Sequence, residues 1–360
     1  MDTYIRAASQ ISMQQPLSEQ WMDAPILPST VFNEPLDPDY KQFISPAEAR
    51  RMGRLLKRAV AASLDTLQKG NCTNPDAIIT GTGLGCVENT EKFLNALIDN
   101  DEQCLPPTPF MQSTHNTISS QVALKLQCHG YNSTYSHRGT SFDSALLDAI
   151  MQFQLKRIST ALIGGYDEMT PAYFKMLAKI GYWRSASADL ASLKQAGMTG
   201  SLACGAAVSL LLTNTYSPEC LCRIVDTNLF YTHNPEEQSS LIHSFLQQHN
   251  LSETDIDAVM CGFSGDDNND SVYHHLLQSN FPDTTALWYK HLFGESFCAS
   301  GYGVYCAAIC LKHQQIPEHL IYQSGQNKPS PINNILVINH FHKKDFSLTL
   351  LAPCSSSTPL

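Results

Sequence analysis

No run of about eighteen apolar residues, the length that a membrane-spanning helix needs, occurs in this 360-residue sequence. Its start, MDTYIRAASQ, has neither the basic opening nor the apolar centre of a secretory signal. Positive charge is scarce: 23 Lys and Arg stand against 33 Asp and Glu, a net charge of −10 that argues against nucleic acid as the main ligand. Charged residues are only 16% of the chain, which points to surface covered by a partner. The 12 cysteines include no CxxC pair, so they read as small, reduced, buried side chains of a cytoplasmic protein rather than as a metal site. A phosphate-binding loop and a GxSxG elbow are both missing. GTGLG at 81–85 lacks the third glycine of a dinucleotide loop, and no acidic residue ends a second strand about 20 residues on, so a tight core turn is expected. One further absence is local. The stretch YSHRGTSFDSALLDAIMQF, 135–153, reads as a strand end, a turn and an amphipathic helix, a platform suited to a nucleophile. Yet no Cys lies between Cys128 and Cys204, and the turn offers only Gly139, Thr140 and Ser141.

What is present is an alternation of strands and helices. Residues 1–40, with five prolines from Pro16 to Pro38, are expected as an irregular arm carrying one short strand near Tyr4 to Ala8. A long helix should start at Ser45, which caps it, with Pro46 at the first position and Glu48 closing a capping box. Met52, Leu55, Leu56, Ala59 and Val60 form its apolar stripe and Gly70 ends it. Strand–loop–helix units follow, and the long strands CGAAVSLLLTN and CRIVDTNLFY read as antiparallel neighbours. From Pro235 the same theme repeats. The expectation is an α/β layered sandwich, αβαβα, with two pseudo-repeated halves at 41–215 and 216–360. Ala299, Ser300, Gly301, Gly303, Ala307 and Ala308 would let a core helix approach its neighbours closely.

Several sites can be tested on chemistry alone. His274 and His275 adjoin the acidic run DDNND at 266–270, but neighbouring helical residues diverge by about 100°, so a solvated acidic loop is expected and no metal. Ser141 and Asp143 invite a hydrolase reading with His115 or His137, although both residue types also serve as helix caps. Arg50, Arg54 and Arg58 align at i, i+4 and i+8 as the basic stripe of an acidic protein, either a solvated face or a dock for an acidic partner.

In order and spacing these motifs resemble the beta-ketoacyl synthases of the thiolase fold over nearly the whole chain after about Tyr40. PFMQSTHNTISSQVALKLQCHGYNSTYS is similar to their segment before the active-site turn, and STALIGGYDE to their strand ending in Gly-Gly and an acid. IDAVMCGFSGDDNND stands where the family has its His-Gly-Thr loop, YKHLFGESFCASGYGVYCAA where it has Lys and then Gly-His, and VINHFHKKDFSLTLL in place of its closing glycine loop. That family implies a Cys nucleophile at a helix N-terminus, acylated from a carrier-protein thioester, and two histidines that assist decarboxylation and stabilise the oxyanion. The Cys position falls here on Gly139, or Thr140 if the register slips by one; the histidines fall on Cys261 and Glu295, and Lys290 is kept. Within the family, the chain most resembles the chain-length-factor subunits of type II systems, especially those accompanying aryl polyene and flexirubin-type pigment synthesis. The resemblance implies a non-catalytic subunit without a cofactor, pairing with an active ketosynthase or with itself and serving acyl carrier protein. Thr140 and Phe142 would then border the partner's substrate tunnel. Two alternatives stay open: an acyltransferase or hydrolase with a displaced nucleophile at Cys261 or Ser141, and a homodimeric acyl-binding module.

Overall fold

A computed structural model of the chain describes residues 2–185, 189–326 and 330–354. Eleven strands make one sheet: β1 (Thr3–Ile11), β2 (Ala77–Gly81), β3 (Tyr131–Tyr135), β4 (Thr160–Asp167), β5 (Ala206–Thr213), β6 (Cys222–Tyr231), β7 (Ala258–Cys261), β8 (Thr285–Trp288), β9 (Ile321–Gln323), β10 (Ile335–Phe341) and β11 (Asp345–Ala352). Their spatial order is β9-β8-β7-β10-β11-β6-β1-β5-β4-β2-β3. The first half therefore runs third–second–fourth–fifth–first strand, and the second half repeats that order with β9 added at its edge. Within each half three parallel strands adjoin an antiparallel pair. The halves meet at a narrow seam in which only Thr3, Tyr4 and Ile5 of β1 face Ile224, Arg223 and Cys222 of β6.

Two expectations are corrected by this topology. The strand expected near Tyr4 to Ala8 forms, but it is not a short piece of an arm: TYIRAASQI is a nine-residue strand at the centre of the sheet, because apolar side chains on both of its faces are buried. For the same reason β5 and β6 are not neighbours, since β1 lies between them. A third correction concerns the long helix expected from Ser45. The Ser45–Glu48 capping box forms, but on a short helix α1 (Pro46–Ala49). A separate helix α2 (Arg54–Lys69) begins after Gly53, which is extended (ψ 167°).

Helices α3 (Ser141–Gln154) and α6 (Ser300–His313) supply the buried middle of the sandwich, within the largest apolar cluster. Gly301 makes that approach possible: a Cβ there would stand 2.6 Å from Val208 Cγ1 and 3.0 Å from Phe142. The outer helices include α4 (Asp267–Ser279), and the one-turn α5 (Lys290–Phe293) follows β8. The two ends of the sheet differ. At β9, Lys194 donates to the carbonyl oxygens of Ile321 (3.2 Å) and Tyr322 (3.0 Å) and lies 5.0 Å from the ring centroids of Trp288 and Tyr322. At β3, no strand covers the outer edge among the described residues. No helix there is long and apolar enough to cross a membrane.

Candidate functional site

The loops at the carboxyl ends of β7, β8 and β10 converge with the turn before α3, the place where open α/β sheets put their ligand sites. Between them lies a cavity of about 30 Å3, lined by Gly139, Asp270, Lys290, Glu295, Asn339 and His340 among others. That is room for about one or two waters and nothing larger. Its floor is ionic. Lys290, the first residue of α5, sets its Nζ 2.8 Å from Glu295 Oε2, and the two side chains are only 7% and 15% exposed. Asn339 Nδ2 donates to the Gly139 carbonyl (3.3 Å).

The acidic run is helical, not a solvated loop. Asp270 sits in the first turn of α4 and is buried, accepting from Ser264 N (2.9 Å), Gly265 N (2.8 Å) and Ser264 Oγ (3.1 Å). Burial nevertheless pushes its carboxyl up to about 7. His340 Nε2 bonds the Asn269 carbonyl (3.1 Å) and its Nδ1 accepts from Lys343 N (3.3 Å), an arrangement that fixes the neutral tautomer with the proton on Nε2. Burial first, then the nearby Lys290 charge, holds His340 down at about 3. Asp270, Asn339 and His340 escaped the sequence reading. The available signal was a pair of histidines, His340 and His342, on either side of the end of a closing strand.

A sign follows for His340. Its unfolded pKa is near 6.5 and its folded value about 3, so between those values the unfolded chain binds more protons and stability falls as pH falls. From pH 7 to pH 4.5 the protein should lose about 2–3 kcal/mol that a His340→Gln variant keeps. Urea midpoints of both proteins at the two pH values measure this; equal losses would refute it.

Gly139 occupies the platform but leaves no room for a side chain. A Cβ there would lie 2.5 Å from Phe341 Cβ, closer than unbonded carbons approach. Cys261 is buried at the end of β7, and burial together with Asp270 raises its thiol far above the usual range, the reverse of activation. Ser141 is a fully buried turn residue: its Oγ accepts from His137 N (2.9 Å) and donates to the Arg138 carbonyl (2.7 Å). His137 Nδ1 meets Ser144 Oγ (2.9 Å) rather than Ser141, and exposed His115 makes no bond to it. Asp143 is committed to Ser300 Oγ (2.7 Å) in the core and is pushed up by burial to about 6. No displaced nucleophile is assembled among the described residues.

The remaining candidates separate. Thr140 lines an open cleft of about 550 Å3 with His137, Arg138, His342 and Lys344. Phe142 is fully buried, against Gly165 and Gly301. The arginine stripe does not form either, because the break at Gly53 leaves Arg50 off α2. Arg54 pairs with Glu34 (3.5 Å) and Glu88 (3.7 Å), and buried Arg58 is held by Asp37 at 2.6 Å. Among the described residues no group of three potential ligands is placed to hold a metal ion.

A family profile described as "Beta-ketoacyl synthase, N-terminal domain" matches residues 19–257. No curated protein matches the sequence significantly. Among solved structures, the ishigamide ketosynthase/chain length factor is 16% identical, with a TM-score of 0.79 over 98% of this chain and 99% of that one. A beta-ketoacyl synthase from Burkholderia phymatum is 12% identical, with a TM-score of 0.82 over 98% and 100% of the two chains. A type II polyketide synthase acyl-carrier protein in complex with its ketosynthase bound to the hexaketide is 12% identical, with a TM-score of 0.73 over 98% and 99%. At such identities the likeness establishes the fold: thiolase-like, of the ketosynthase type.

Proposed function

This chain belongs to the beta-ketoacyl synthase family, and we propose that it serves there as a non-catalytic subunit of the chain-length-factor type. Its partner would be an active ketosynthase, working on polyketide or fatty acyl chains held by acyl carrier protein, in pigment-type polyene assembly in the cytoplasm. The observation that carries this reading is Gly139. At the position that resembles the family's nucleophile there is no side chain, no space for one, and an ionic pocket of about 30 Å3 beyond it. Glycine can hold no acyl group, and Glu295 at the second histidine position would repel an oxyanion rather than stabilise it.

The free edge at β3 supports a place for the partner. Tyr131 N donates inward to the Asp76 carbonyl and the Tyr135 carbonyl accepts inward from Thr82 N. Alternation along the strand therefore turns the N–H and C=O of Asn132 and Thr134 outward. Tyr131, Met151 and Leu155 are exposed nearby at 40%, 50% and 55%, an apolar surround fit for burial in an interface.

The test is malonyl-carrier decarboxylation and condensation by the isolated chain, repeated with the ketosynthase encoded beside it. The expected result is silence alone and a longer, defined product with the partner. Turnover by the isolated chain would overturn the reading. Asn132→Pro, which removes one outward donor, should abolish co-purification with the partner while leaving circular dichroism unchanged. Retained co-purification would move the interface elsewhere.

A further inference from the structure

Two cysteines that play no part in the site lie together where β6 begins and β11 ends. The register that sets Ala352 opposite Arg223 brings residue 354 beside the turn before β6. Cys354 Sγ donates to the Cys220 carbonyl at 3.5 Å, across 134 positions of chain. Ser217 Oγ stands 3.7 Å from Cys220 Sγ. Arg6 of β1 lays positive charge near the same sulfur, and its buried Nε has no hydrogen-bond partner among the described residues. These neighbours favour the thiolate at Cys220 and the protonated, donating thiol at Cys354. Cys222 is a different case, a fully buried core side chain whose thiol burial pushes far up.

We propose that Cys220 and Cys354 are a modification site: hydrogen peroxide converts them to a reversible disulfide that ties the end of the last strand to the start of the second half. In the first step the Cys220 thiolate attacks the peroxide. An S–O bond forms, the O–O bond breaks, and hydroxide leaves, taking a proton to become water. In the second step the Cys354 sulfur attacks the Cys220 sulfenic acid. The S–S bond forms, the S–O bond breaks, and the departing hydroxide takes the Cys354 proton as a second water. Two thiols are oxidised and one peroxide is reduced. A low-molecular dithiol reverses the change by exchange. Exposed Cys104 would also meet peroxide.

The experiment treats the purified full chain with hydrogen peroxide, blocks free thiols by alkylation and maps the peptides by mass spectrometry. A peptide linking Cys220 to Cys354, lighter by two hydrogens and released by dithiothreitol, is expected to dominate over every other cysteine pairing. The urea midpoint should rise on oxidation and return on reduction, because the cross-link restricts the unfolded chain. In a Cys354→Ser variant the linked peptide and the midpoint rise should both vanish, and a sulfenic-acid-specific label should appear at Cys220. That variant changes a half-buried residue after the last strand, so the test does not depend on a core substitution folding. Cys220 and Cys354 both remaining alkylatable while Cys104 is oxidised would overturn the proposal, as would a link from Cys354 to Cys222.

Discussion

Replacing Lys290 with Met should lower the unfolding free energy by about 3–5 kcal/mol, the cost of leaving a buried charge without its partner. Glu295 would then face a cavity of about 30 Å3 lined by a second carboxylate, Asp270, and a neutral His340. A double replacement, Lys290→Met with Glu295→Gln, should recover most of that loss, since removing both charges also removes the desolvation that the pair overcame. Urea denaturation of the two single variants, the double variant and the parent closes the cycle. If Lys290→Met alone costs under about 1 kcal/mol, the pair behaves as a solvated surface bridge and the cavity is open to water. The pair bears on function, because a pocket of about 30 Å3 occupied by its own ion pair has no place for a thioester.

The second large effect is at Phe142. Truncation to Ala is expected to cost about 3–5 kcal/mol in stability, as for other fully buried aromatic side chains. The ring fills the space between α3, α6 and the sheet, where Gly165 and Gly301 have no side chains of their own to replace it. Product length with the ketosynthase partner should be unchanged at a temperature where the variant remains folded. A shortened or lengthened product without loss of stability would return Phe142 to the wall of the tunnel. A denaturation curve and a product profile on one preparation decide between the two.

Much of the fold was legible in the sequence because local signals agreed with tertiary ones. The Ser45–Glu48 capping box, the continuous apolar run of β2 and the small-residue helix α6 each stand where their residues predict. What escaped depended on distant partners. TYIRAASQI takes its central place from pairing with β5, some two hundred residues later, and no short-range pattern reports that. Helical spacing suggested that Arg58 extends a basic face, but Asp37 draws it inward from a segment that reads as loop. The candidate site divided along the same line. The glycine in the turn before α3 could be seen in the sequence. The plug beside it could not, since Asp270 comes from α4, Lys290 and Glu295 from α5 and the residues after it, and His340 from β10, and they meet only when the sheet is assembled.

The asymmetry between the two ends of the sheet has a consequence for polymer growth. A sheet open at both edges can add strands at both and extend without limit, whereas Lys194 occupies the carbonyls of β9 and leaves β3 as the end open to addition. Strand addition confined to β3 would give the chain a valence of one. Whatever joins at β3 caps the growing end, so high concentration favours a closed pair over a filament.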